Sequence, residues 1–200
     1  DKDFICNLLK KKGTLAIKPN SGTSGGRGFM KMEYKDGEIF ENNRKITFGE
    51  FEEIVASLKN HIVTEYAYQH KELATIWPES ECTLRVVMIK VPNDKYAKKE
   101  WKCIVSYARF GTSISGGASN LSSGGIGVGF DYQTGAFNEF GIRYKRFCPD
   151  GEWRCTKHPD TSVEWKNEKL PNWEYVRNGI ERICDHIASL DYLGFDVIIT

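Results

Sequence analysis

The stretch KPNSGTSGGRGF, residues 18–29, restricts what this chain can fold into more than any other. Four glycines and three hydroxyl side chains come after a lysine that ends an apolar run, TLAIK (14–18). Backbone N–H groups in such a loop can converge on an anion, and a lysine beside it neutralises phosphate as a point charge. The element C-terminal to the loop decides the kind of site. FMKMEY (29–34) alternates as a half-buried strand does, and KDG (35–37) turns it into EIFENNRKI. A Walker-type loop or a dinucleotide-binding loop must open into a helix. Here the loop ends Gly-Arg-Gly-Phe and joins two strands, so both are excluded. A hairpin flap remains. Its candidate phosphate-covering residues are Ser21, Gly22, Thr23, Ser24, Gly25, Gly26 and Gly28, with Lys18 as the cation beside them.

The remaining pattern is mixed. DFICNLL predicts a short helix. Thr47-x-x-Glu50 is a capping box, and Phe48, Phe51, Ile54, Val55 and Leu58 recur behind it at helical spacing. HIVTEYA (61–67) reads as a strand and KELATIWP as a short helix. CTLRVVMIKVP (82–92) and residues 101–111 read as long strands. A second glycine-rich stretch, SGGASNLSSGGIGVGFD (115–131), leads into another strand. Residues 170–190 form the strongest helical pattern, with Pro171 and Asn172 marking its start and Trp173, Val176, Ile180, Ile183, Cys184 and Ile187 on one face. GFDVIIT (194–200) is a final strand. The expectation is an α+β fold with a largely antiparallel sheet and flanking helices.

Apolar residues make up 40% of the 200 and the formal net charge is +1, a composition that argues against bulk-charge binding of nucleic acid. No apolar run approaches the ~18 residues of a membrane span, and no secretory signal opens the sequence. The six scattered cysteines therefore read as free thiols of a cytoplasmic protein. Cys148, Cys155 and His158 lie close in sequence, but C-x6-C-x2-H lacks a fourth ligand and reads as structural.

Several charged residues sit where charge is costly. Arg85 interrupts the apolar strand TLRVV and must face a pocket or the exposed side of a sheet, where it can clamp phosphate or carboxylate. Arg109 and Lys102 raise the same question less forcefully. Asp196 interrupts GFDVII, and a carboxylate in a buried strand needs a partner, of which a divalent cation is one. Asn120 stands between two glycine clusters as a turn residue or a ligand hydrogen-bonder. Glu65, Tyr66 and Ala67 are placed to read adenine from a hinge, and Glu72 to take a ribose. No spacing suggests a nucleophile with its base, so covalent catalysis by the protein is not expected.

Together, LAIKP with its glycine hairpin, IVTEYAYQHKELATIWPES, ECTLRVV, SNLSSGGIGVGFDYQTG, KHPDT, LPNWEYV and LGFDVIIT resemble the ATP-grasp superfamily. The likeness is greatest to its sugar-transfer-associated family and runs from about Leu15 to Thr200. The resemblance implies two α+β lobes that grip ATP, here residues 1–67 (nucleotide-binding, with the flap) and 68–200, in an ATP-grasp fold expected to be incomplete at both ends. It implies Mg2+ and a ligase reaction, in which a carboxylate takes the γ-phosphoryl group and an amine attacks the acylphosphate. Both substrates would be small molecules or glycan-linked groups, in bacterial cell-surface polysaccharide synthesis. Lys18 would hold phosphate oxygens, Ser21 to Gly28 would cover them, Glu65 to Ala67 would line adenine and Glu72 the ribose. Arg85 would stabilise the transferred phosphoryl group, and Asp196 would be one metal ligand. Cys82 departs from the family pattern, standing where Asn-Thr-Leu-Arg has asparagine. The family's Glu-x-Asn metal ligands lie beyond the last strand. Two other readings stay open: a nucleotide-binding scaffold without chemistry, and a small-molecule or sugar kinase on the same fold.

Overall fold

The computed structural model describes residues 2–21, 28–93, 98–115, 118–187 and 189–200. The chain forms two compact units, Asp1–Ala67 and Tyr68–Thr200. The fold is mixed α+β, with two mainly antiparallel sheets flanked by helices, as expected from the sequence.

The first unit contains α1 (Lys2–Lys12), β1 (Thr14–Pro19), β2 (Met30–Lys35), β3 (Glu38–Glu41), β4 (Arg44–Ile46), α2 (Phe48–Ser57) and β5 (His61–Glu65). Its strands lie in the order β4-β3-β2-β1-β5. Local chemistry sets the turns. Gly13, in the left-handed region (φ 75°), ends α1 by donating to Leu9 O at 2.8 Å. Asp36-Gly37 and Asn42-Asn43 take positive φ in pairs, the two-residue turns that match strand twist. The second pair splits EIFENNRKI, expected as one continuation, into β3 and β4. Thr47 and Glu50 close the capping box of α2. Alternation in β1 buries Leu15 and Ile17 with Leu9, Met32, Ile39, Ile46, Phe51 and Val55, and turns Lys18 outward. Phe48 was expected in this core and is not. It is the first residue of α2, 51% exposed, and its ring leans on Phe51 at 6.1 Å.

The second unit contains α3 (Lys71–Ile76), β6 (Thr83–Asn93), β7 (Lys98–Phe110), β8 (Ile126–Phe130), β9 (Phe137–Ile142), β10 (Arg154–Cys155), α4 (Trp173–His186) and β11 (Tyr192–Val197). They make a six-stranded sheet, β10-β9-β8-β7-β6-β11. One face buries Leu84, Val86, Ala108, Phe110, Ile126 and Val128 against Leu73, Trp77, Trp165, Trp173, Ile180 and Cys184. The alternate positions point to the opposite, outer face of the sheet. Helix α4 starts where Pro171 and Asn172 mark it, with Asn172 at the N-cap in the left-handed region (φ 50°) and Trp173 the first helical residue, and it ends at His186, short of the expected residue 190. Ile183, read as part of its buried face, is about half exposed. Strand β11 ends at Val197, and Ile199 O instead accepts from His70 N at 2.7 Å, at the start of α3.

Candidate functional site

Strand register assembles a charged cluster on the outer face of the second sheet. Thr83 pairs with Arg109, Arg85 with Tyr107, and Asp196 of β11 with Arg85. Arg85 and Arg109 share a face because each lies an even number of residues from the other's cross-strand partner. Both reach Asp196. Arg109 Nη2 donates to Oδ1 at 2.7 Å and Arg85 Nη2 to Oδ2 at 3.0 Å, with Arg85 Nε 3.0 Å from Oδ1. Arg109 Nη1 also donates to Asn120 Oδ1 at 3.4 Å.

The loop that holds Asn120 is fixed by glycine. Gly125 N donates to Asn120 O at 3.0 Å. A Cβ on Gly125 would meet the carbonyl oxygens of Ser119 at 2.6 Å, Phe110 at 2.8 Å and Asn120 at 2.9 Å. That close approach of three backbone oxygens is what the second glycine-rich stretch provides.

Asp196 was expected to be buried and is not. Its side chain is 52% exposed and is engaged by two guanidiniums, Arg109 at 12% exposure and Arg85 at 36%. The outer face of the sheet, rather than its core, explains why a carboxylate is tolerated there. The cluster is two cations to one anion, so it holds a fixed excess of positive charge on rigid strands. It would attract a carboxylate or phosphoryl oxygen. Arg109 was the weaker sequence candidate, yet it is the better buried of the two. The sequence signal for it was its place in the long strand 101–111, and its meeting with Arg85 comes from the register of β7 with β6. Lys102 pairs with Glu100 and takes no part in the cluster.

In the first unit, Lys18 stands exposed on β1 opposite Ile62 of β5. Gly28 returns the hairpin onto Pro19 with φ 75°, and a Cβ there would meet Pro19 Cγ at 2.8 Å. Ser21 is exposed at the other end of the hairpin. Gly22, Thr23, Ser24, Gly25 and Gly26 lie outside the described residues. Lys31, which the sequence did not single out, opposes Ala16 on the same face as Lys18 and lies 4.8 Å from the ring centroid of Tyr66. Tyr66 in turn contacts Phe29 at 6.5 Å, and its N–H donates to Thr14 O at 3.4 Å. Glu65 pairs with Lys12. Glu72 belongs to the second unit, in the first turn of α3, where its side chain is exposed and its N–H donates to His70 Nδ1 at 3.3 Å.

Two residues singled out in sequence prove to be core. Cys82, at the asparagine place of the family pattern, is fully buried. Its N–H donates to Gln69 Oε1 at 2.9 Å, and burial pushes its thiol well above the ordinary range. His158 is also fully buried. It stacks on Trp77 at 5.2 Å, and its Nε2 bonds to Gly111 O at 2.9 Å. The backbone N–H groups of Asp160 and Thr161 donate to its Nδ1 at 3.2 and 3.4 Å, which assigns the proton to Nε2. Burial lowers its pKa, opposed by the Gly111 carbonyl and Asp160. Among the described residues no group of three His, Cys, Asp or Glu side chains could hold a metal ion.

A mixed α+β chain with two mainly antiparallel sheets flanked by helices is consistent with ATP-grasp architecture. The sequence pattern of the sugar-transfer associated ATP-grasp family matches residues 3–200, and the chain belongs to that family. Membership carries an enzymatic, ligase-type function in general terms. Comparison with curated proteins and with solved structures gave no match. Among the described residues no helix is long and apolar enough to cross a membrane.

Proposed function

We propose that the protein is an ATP-dependent carboxylate–amine ligase, acting on small-molecule or glycan-linked substrates in bacterial cell-surface polysaccharide synthesis. The observation that carries the reading is the convergence of Arg85 and Arg109 on Asp196, with Asn120 beside them. Transfer of a phosphoryl group to a carboxylate brings negative oxygens together and needs charge neutralisation more than a protein nucleophile. A pair of guanidiniums fixed on adjacent strands supplies that without reorganising. Lys18 fits the phosphates as a point charge. Gly28 fits the close return of the flap, since only a residue without Cβ clears Pro19. Ser21 to Gly28 would cover the phosphates, Glu65 to Ala67 would line adenine, and Glu72 would hold the ribose.

The fit to magnesium is different. Asp196 is the metal ligand implied by the family resemblance, but its oxygens are held by two arginines, and a cation there would have to displace a guanidinium.

The test is calorimetric titration of ATP into the chain and into Lys18→Ala, with hydroxylamine trapping in the presence of candidate carboxylates as the second stage. Binding weakened about tenfold (about 1.4 kcal/mol) in the variant is expected. A trapped hydroxamate would separate a ligase from a kinase, which would leave a phosphorylated alcohol instead. ATP binding that ignores Lys18→Ala would remove the nucleotide site from this strand.

A further inference from the structure

The outer face of the second sheet holds more than the arginine cluster. Next to it lies a trough of about 440 Å3, within the ~300–1,000 Å3 of small-molecule sites. Its floor is Gly127 and Gly129, and its walls are Tyr107, Leu121, Phe140 and Ile142. The glycines make the floor. A Cβ on Gly127 would reach Leu121 at 3.2 Å, and one on Gly129 would reach Asn138 Nδ2 at 2.5 Å. Any larger residue would fill the depression.

Register places this trough in a row of charges. Arg109 pairs with Gly127, Gly127 with Ile142, and Ile142 with Arg154. Three strand spacings separate the Cα atoms of the two arginines, about 14 Å. At the far end Arg154 lies over Phe140 at 5.0 Å and over Trp153 at 5.4 Å. Arg146 reaches the same rim, donating to Ser122 O at 2.5 Å beside Leu121. Among the described residues no ion pair engages Arg146 or Arg154. Both ends of the trough are therefore cationic, while the middle is apolar with exposed aromatic faces.

We propose that this trough binds an acidic saccharide. The C–H face of a sugar ring packs on Phe140 and the glycine floor, Tyr107 and Asn138 meet hydroxyls, and carboxylates lie toward the arginine pair at one end and Arg154 and Arg146 at the other. A neutral sugar would leave both cationic ends unanswered, and a flexible aliphatic diacid would leave the aromatic faces unused. The assignment names the substrate class of the proposed ligase and rests on that reading for its chemistry, though not for binding.

Digalacturonate is the probe, with lactose as the neutral control and adipate as the control without rings, each titrated by ligand-observed NMR and calorimetry. Digalacturonate is expected to bind at least tenfold more tightly than either control. Arg154→Gln, at an exposed position, should weaken it about tenfold. Gly127→Val should abolish it, with tryptophan-detected unfolding showing that the second unit still folds. Lys18→Ala should leave it unchanged. Equal binding of lactose or adipate, indifference to Arg154→Gln, or no binding of digalacturonate by the folded chain would each overturn the assignment. ATP binding and its response to Lys18→Ala are read separately, so loss of the ligase reading and loss of the saccharide site give different patterns.

Discussion

Replacing Asp196 by Asn tests whether the arginine cluster is held together by its carboxylate. The substitution keeps Oδ1 as an acceptor for Arg109. It also turns an NH2 group toward Arg85 Nη2, donor against donor, and leaves two guanidiniums without a counter-charge. Exposed ion pairs contribute roughly 0.2–1 kcal/mol, whereas stripping a buried pair of one partner costs ~3–5 kcal/mol. Asp196 is 52% exposed and Arg109 only 12%, so the cluster lies between these limits. The expected loss is about 2 kcal/mol, or about 4–8 °C in Tm for a chain of this size. All five tryptophans lie in the second unit, so fluorescence-detected urea unfolding reads that unit alone. Double-mutant cycles with Arg85→Gln and Arg109→Gln apportion the effect. Coupling to the less exposed Arg109 should be the larger, at about 1–2 kcal/mol, with Arg85 below about 1 kcal/mol because solvent screens it more. A loss under about 0.5 kcal/mol, or stronger coupling to Arg85, would refute the reasoning.

The buried His158 makes stability pH-dependent. Its folded pKa lies below the ordinary 6.5, so the unfolded chain takes up the proton first. The contribution is therefore complete above that value and shrinks as pH falls through it toward the folded one. The urea midpoint of the second unit should drop between pH 7.5 and 5.5, and His158→Phe, which keeps a ring beside Trp77, should flatten that slope. Parallel slopes in the two proteins would discard the assignment. Gly111→Ala should destabilise the same unit by ~1–3 kcal/mol, as overpacking does. Its Cβ would fall 2.4 Å from Ser80 Oγ and 2.5 Å from Trp77 Nε1. An unchanged midpoint would show that these side chains move aside freely.

Much of the fold was legible because local signals agreed with one another. The Asp36-Gly37 turn, the Thr47–Glu50 box and the alternation of Leu15, Ile17 and Lys18 each have one structural solution. Legibility failed where a tertiary neighbour decides. Phe48 matches the helical period, yet at the first turn of α2 it meets Phe51 and solvent rather than the sheet. Asp196 looked buried because its strand neighbours are apolar, but a strand has two faces, and apolar character alone does not say which one is covered. Of the site, sequence identified Arg85, Asp196 and Asn120 singly. Their meeting with Arg109 depends on the pairing of β6 with β7 and β11, and pairing register is non-local information.

That dependence on register also explains why the charges sit on strands at all. A guanidinium on a loop must lose conformational freedom each time it meets a ligand, whereas Arg85 and Arg109 are already held by neighbouring ladders and by a shared carboxylate. The same β6-to-β10 span carries the trough, so an incoming anion would meet a surface whose geometry is set by backbone hydrogen bonds. Glycines at 127 and 129 keep that surface low, and Gly125 draws the Asn120 loop down against it. Rigid strands, positive charge at intervals across them and missing side chains between the charges amount to one design. On the proposed reading, it would favour a flat-sided anionic ligand over a globular neutral one before any single contact is made.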